Sequence, residues 1–252
     1  MQASPIIPVS YKIIAFHLFA QVVKLADTPD LGSGASQRVG STPILGIFKL
    51  WMLNMQFSFL TLFICFCCFS LNSTEIYVLR HGQAEHNIQH LMSSVADVSL
   101  TEKGKLQVQA SAEALAEKAS IDLIFCSPLE RTQQTAAIAA NALGYPVDSI
   151  IIDYRLREQY YGSYEWKPYE EYVAQFTKKD HEFILGAPDG EWGSELYERI
   201  AEFLDNLLEN PDYWDKNILI VTHAYPLCQI SKYFTGRYDE IPQTGEWKHF
   251  SH

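Results

Sequence analysis

Two apolar runs in this chain end in a histidine. Ile76-Tyr77-Val78-Leu79 leads into Arg80-His81-Gly82, and Asn217-Ile218-Leu219-Ile220-Val221-Thr222 leads into His223. A histidine just past a buried strand projects from the carboxyl end of a sheet, where ligands of α/β proteins gather. One such histidine has an ordinary structural reading. Two at equivalent strand ends, one of them preceded by arginine, point to chemistry on an anion. Neutral imidazole is a competent nucleophile near neutral pH. The planar fork of Arg80 can hold two oxygens of one phosphate. Gly82 lets backbone approach with no side chain in the way. A phosphoryl group suits this set. One histidine accepts it, the second, protonated, steadies charge on its oxygens, and a carboxylic acid of raised pKa must protonate the leaving oxygen.

The segments around these residues predict the frame that holds them. Residues 76–79, 123–126, 150–152 and 217–222 read as short buried strands, and 246–250 as a last edge strand. Helices are expected over 100–118, 130–143 with Gly144 as the stop, 168–176, 194–208 and 226–234. Strands that alternate with helices predict an α/β fold, a three-layer α/β/α sandwich around a mostly parallel sheet.

Composition narrows the partners. The chain has 252 residues and a formal net charge of -11. Residues 75–252 carry 15 Lys/Arg against 28 Asp/Glu, so this body repels nucleic acid and anionic lipid. A phosphate site here has to be a local cationic pocket. Cys126 and Cys228 are the body's only cysteines, and no pair of cysteines has zinc-ligand spacing, so neither a disulfide framework nor a metal is expected. Both thiols are expected to be small buried residues.

The residues before the body read differently. Residues 1–51 lack sustained hydrophobic periodicity. Val39-Gly40-Ser41-Thr42-Pro43 can be encoded by DNA carrying the GGTTCGACTCC consensus of a tRNA T-arm, and the stretch beginning at Val23 by a leucine-tRNA D-arm. The expectation is a spurious upstream extension of the reading frame, with a disordered arm as the alternative. Residues 52–73 contain Phe57 to Leu71, a 15-residue apolar run, short of the roughly 20 that a membrane span needs. It resembles a signal-peptide core that lacks a preceding basic residue. The expectation is a secreted or periplasmic protein, with an uncleaved membrane anchor or a cytoplasmic chain as alternatives. Membrane contact is expected only if the run stays attached, and the oligomeric state is left open.

The body's motifs also carry a resemblance. Residues 78–87 (VLRHGQAEHN), Leu100-Thr101-Glu102-Lys103-Gly104, Ser127-Pro128-Leu129-Glu130-Arg131-Thr132, Leu156-Arg157-Glu158-Gln159-Tyr160-Tyr161-Gly162, Pro188-Asp189-Gly190-Glu191 with Arg199, and Val221-Thr222-His223 fall in one order. In that order they resemble the signatures of the histidine phosphatase superfamily, also called phosphoglycerate mutase-like, over residues 74–252. The resemblance implies that His81 is the phosphorylated nucleophile and Glu158 the general acid. It implies that Arg80, Arg131 and His223 line the phosphate pocket, with Asn87 as a further donor. Gly82, Gln83, Tyr161 and Glu191 are substrate-side candidates. Loop, packing or tethering roles are the alternatives for the last three, and helix capping for Asn87. Arg131 stands at a helix start, where the helix dipole disfavours a cation, so a merely structural role fits it poorly. Ala84 and His86 stand where the family often has Thr and Trp, and Trp192 where it often has Ser.

The implied reaction is hydrolysis of a small phosphorylated substrate without a cofactor. The cofactor-dependent mutases carry a longer, more basic insertion between the positions of Gly162 and Gly190. Here that span offers Lys167, Lys178 and Lys179 against six acidic residues, which favours a phosphatase over a mutase. A mutase and a non-catalytic phospholigand-binding module are the alternatives.

Overall fold

Along strand β1 (Glu75–Arg80), Ile76 and Val78 enter one apolar cluster while Tyr77 and Leu79 enter another. Strand β4 (Asn217–Thr222) divides the same way, Ile218 and Ile220 to the first face, Leu219 and Val221 to the second. Successive side chains of a strand point to opposite faces, so an uninterrupted apolar run requires cover on both. In this computed structural model, residues 73–96, 98–176 and 186–252 are described. The expected extension 1–51 and the apolar segment up to residue 72 lie outside the described residues, as do Lys178 and Lys179.

The sheet also contains β2 (Leu123–Cys126), β3 (Ile151–Ile152) and β5 (Trp247–Ser251), in the spatial order β3-β2-β4-β1-β5. All pairings are parallel except β1 with β5, which is antiparallel. Helices α1 (Glu85–Ile88), α2 (Glu102–Ala116), α3 (Glu130–Leu143), α4 (Tyr169–Phe176), α5 (Gly193–Glu209) and α6 (Ala224–Thr235) supply the connections. Val108, Ala112 and Leu115 of α2 with Ala136, Ala139 and Ala140 of α3 cover one face. Leu196, Ile200, Phe203 and Leu204 of α5 with Leu227 and Ile230 of α6 cover the other. The result is the three-layer α/β/α sandwich with a mostly parallel sheet. Among the described residues no helix is long and apolar enough to cross a membrane.

Local chemistry sets the helix ends. Thr101 caps α2, its hydroxyl accepting from the Gly104 N–H at 3.0 Å, a bond that satisfies an otherwise orphaned donor. Gly144 ends α3 in the left-handed conformation, φ 68°, which glycine adopts without strain. Pro226 lies in the first turn of α6, so that helix begins at Ala224 and not at 226, because a proline there removes no hydrogen bond the helix needs. Helix α1 is expected from the sequence only through the alternative reading of Asn87 as a helix cap. It is four residues long, and Asn87 closes it by accepting from the Ala84 N–H at 2.9 Å.

Candidate active site

Three neighbouring strands deliver their next residues to one edge. His81 N–H donates to the Thr222 carbonyl at 3.0 Å, and Ser127 N–H to the Val221 carbonyl at 3.0 Å. The strand order β2-β4-β1 therefore sets Ser127, His223 and His81 side by side. The His81 and His223 rings stand 5.2 Å apart, edge to face. His81 is 2% exposed and His223 is fully buried.

The backbone assigns the His81 proton. Its Nδ1 lies 2.8 Å from the Gly82 carbonyl, which can only accept. Nδ1 therefore carries the hydrogen, and Nε2 keeps its lone pair. Burial first, then the charges of Arg131 and Arg80, hold the ring well below the ordinary histidine pKa of 6.5, so it stays neutral. His223 Nε2 pairs with the Ser127 hydroxyl at 2.8 Å, and its buried Nδ1 has no hydrogen-bond partner among the described residues. Its pKa is also well below 6.5, through burial first and then the Arg131 charge. Burial thus biases the second histidine, expected from the sequence to be protonated, toward its neutral form.

Arg131 is 0% exposed in the first turn of α3. Its guanidinium donates to the Ser93 carbonyl at 3.0 Å and the Ala96 carbonyl at 3.3 Å, which orients the fork. Arg80 is half-buried and donates to the Pro242 carbonyl at 2.6 Å, while its buried Nε has no partner among the described residues.

Glu158 is 6% exposed, on the loop beyond β3. Thr222 Oγ1 holds that loop to β4 by donating to the Leu156 carbonyl at 2.7 Å. Burial raises the Glu158 carboxyl above its usual 4.5, against the opposing pull of the Gln159 N–H, Arg131, Arg80 and Arg199. The carboxyl is therefore biased toward its protonated form.

Four other candidates are held by the protein itself. Glu191 is clamped by Arg199, Nε to Oε1 at 2.5 Å and Nη2 to Oε2 at 2.8 Å, and so tethers its loop. The Gln83 side chain accepts from Thr101 Oγ1 at 3.0 Å. Tyr161 is buried, its ring 5.0 Å from that of Tyr172. Asn87 caps α1 and turns its Nδ2 to His86 at 2.9 Å. Gly82 has a steric reason to be glycine, since a Cβ there would stand 2.4 Å from the Gly104 carbonyl oxygen. Ser127 and His86 join the cluster without having been assigned from sequence. Ser127's signal was its place directly after a strand, like the two histidines. Cys126 and Cys228 are free and buried, their thiols pushed up to about 12 by burial. Among the described residues no group of three or more His, Cys, Asp or Glu side chains is arranged to hold a metal ion.

Fold and edge together define an α/β sandwich that gathers paired histidines, two arginines and a buried carboxylic acid at the carboxyl ends of its strands. The chain belongs to the histidine phosphatase superfamily (branch 1), whose profile matches residues 76–249. It is 33% identical over 163 residues to "Probable phosphoglycerate mutase GpmB" of Enterobacter sp. (strain 638), covering 62% of this chain and 73% of that one. It is 31% identical over 181 residues to the adenosylcobalamin/alpha-ribazole phosphatase of Escherichia coli (strain K12), covering 70% and 84%. Among solved structures, a mycobacterial glucosyl-3-phosphoglycerate phosphatase complexed with VO3 superimposes with a TM-score of 0.61 at 23% identity, covering 70% of this chain and 90% of that one.

Proposed function

We propose that this chain is a phosphomonoesterase that works through a phosphohistidine on His81. The observation that carries the reading is the His81 Nδ1–H bond to the Gly82 carbonyl, which keeps the Nε2 lone pair of a neutral ring available at the sheet edge. In the first step Nε2 attacks phosphorus in line and the bond to the leaving oxygen breaks. Glu158 gives that oxygen its proton. Arg80 and Arg131 hold the phosphoryl oxygens. A hydrogen bond from the Ser127 hydroxyl to His223 Nε2 would place the His223 proton on Nδ1, making it a further donor to those oxygens. In the second step water attacks phosphorus of phospho-His81. Glu158 takes the water's proton, and phosphate leaves.

The substrate is a small phosphomonoester. The phosphatase names among the relatives support hydrolysis. The similarity to proteins named as mutases favours a second reading, in which the phosphoryl group returns to another oxygen of the substrate. The acidic balance between Gly162 and Gly190 argues against it. The apolar run before the body supports export, which would set the reaction outside the cytoplasm. The test is turnover of an aryl phosphate in EDTA, beside His81→Ala. Activity that survives EDTA and falls by about a hundredfold or more in the variant is expected. Equal turnover by both proteins would exclude the phosphohistidine. Phosphate that stays on an organic product, with none released, would favour the mutase.

A further inference from the structure

His86 is a third imidazole in this cluster, and neither step above uses it. It is 6% exposed, and its ring centre lies 5.8 Å from that of His81. Its tautomer follows from a chain of one-way hydrogen bonds. The Ala84 N–H donates to one atom of the Asn87 amide at 2.9 Å, so that atom is the oxygen. The other amide atom is then the NH2 group, and it lies 2.9 Å from His86 Nε2. An amide nitrogen can only donate, so Nε2 accepts with its lone pair. The ring hydrogen is therefore on Nδ1. That atom is buried and has no hydrogen-bond partner among the described residues.

The arrangement persists across neutral pH. Burial first, then the charges of Arg131 and Arg80, lower the ring's pKa to about 3. A ring that only filled the wall would be better apolar, since buried donors in native folds are nearly always satisfied. The second ring beside His81 is in the same condition. His223 also has a buried Nδ1 without a partner among the described residues, on a ring 5.2 Å from His81. Two imidazoles with unmet Nδ1 atoms thus flank the proposed nucleophile.

We propose that His86 contacts the substrate directly, its Nδ1–H donating to an oxygen of the phosphoryl group on the ester and then on phospho-His81. The inference rests on the phosphatase reading and adds a contact to its phosphate pocket. A neutral donor here binds the oxygens without adding a charge beside the two arginines. The contact needs the phosphoryl group alone, so inorganic phosphate serves as the probe.

The experiment uses the full chain with nitrogen-15-labelled histidine, titrated with inorganic phosphate. The His86 Nδ1–H resonance, assigned through His86→Asn, is expected to shift on binding and to become protected from exchange. His86→Phe keeps the ring and removes both nitrogens, and its affinity for phosphate is expected to fall by about tenfold. His86→Asn places an amide where Nδ1 stood and is expected to recover part of that loss, which a purely space-filling role would not require. If phosphate binds while the resonance does not move, and the Phe variant binds it as tightly as the parent, the contact is excluded and the phosphatase reading stands. If His81→Ala turns over as fast as the parent, the phosphatase reading fails and the inference falls with it. Should the Phe variant not fold, the resonance of the unaltered protein decides.

Discussion

Burial acts on His81 and Glu158 in opposite directions, and both results suit the proposed reaction. It disfavours the imidazolium at one and the carboxylate at the other. The proposed nucleophile, neutral, and the proposed acid, protonated, can then coexist at one pH. The sign of the activity profile follows. His81 does not become protonated until well below 6.5, so it imposes no acid limb near neutrality. Glu158 loses its proton as pH rises through its raised pKa, so kcat/KM for an alkyl phosphate is expected to fall on the alkaline side. Glu158→Gln is expected to lower kcat by about a hundredfold and abolish that limb. A pH–rate series on both proteins checks this, and an unchanged alkaline limb in the variant would assign it to another group. Arg80, His81 and His223 were legible because each closes or follows an apolar run. The Ser127 contact was not, because its partner lies 96 residues away and only the strand order joins them. The His86 tautomer was beyond sequence altogether, since it depends on which atom of Asn87 faces Ala84.

At the scale of elements, the site depends on two close fits. In the first, the loop after β1 lies directly on the start of α2. A Cβ on Gly104 would meet the Gln83 carbonyl oxygen at 2.0 Å, and neither partner is a flexible side-chain end. Gly104→Ala is therefore expected to cost about 1–3 kcal/mol in urea unfolding and to slow turnover, because the displaced loop carries His81 and Gly82. A variant of parental stability and activity would mean that the loop yields freely. In the second fit, Arg199 of α5 donates to Glu191 and to the Glu158 carbonyl at 3.0 Å, and also to the Arg155 carbonyl. Arg199→Ala is expected to leave the fold in place and lower kcat/KM by about tenfold or more, since it would misplace Glu158, the proposed acid. Circular dichroism with steady-state kinetics separates the two effects. The strands and most helices could be read from apolar runs and their stops. Helix α1 could not, because four residues hold too little periodicity and its cap is the side chain of Asn87. Strand β3 shrank to two residues, since only Ile151 and Ile152 pair with β2 before the chain turns toward Glu158.

At the scale of the molecule, three buried imidazoles among the described residues tie stability to pH. His81, His86 and His223 all have pKa values below 6.5 in the fold, that of His86 about 3. In the unfolded chain each takes up a proton as pH falls through 6.5, while the folded chain resists until far lower. The unfolded state therefore binds more protons in that window, and stability drops as pH drops. Each imidazole contributes a slope of up to about 1.4 kcal/mol per pH unit, and three contribute about 4. Glu158 and Glu165 act in the reverse sense. Their folded pKa values lie above 4.5, so their contribution is complete at low pH and is lost as pH rises through those values. At most two carboxyls oppose three imidazoles, so the histidines are expected to prevail on balance between pH 6.5 and 4.5. The urea midpoint is expected to fall steadily across that interval, and to fall less in His86→Phe, which has one fewer site to protonate on unfolding. A midpoint that held level or rose toward pH 4.5 would mean that these rings accept protons within the fold, and the neutral cluster on which the proposed nucleophile depends would not exist.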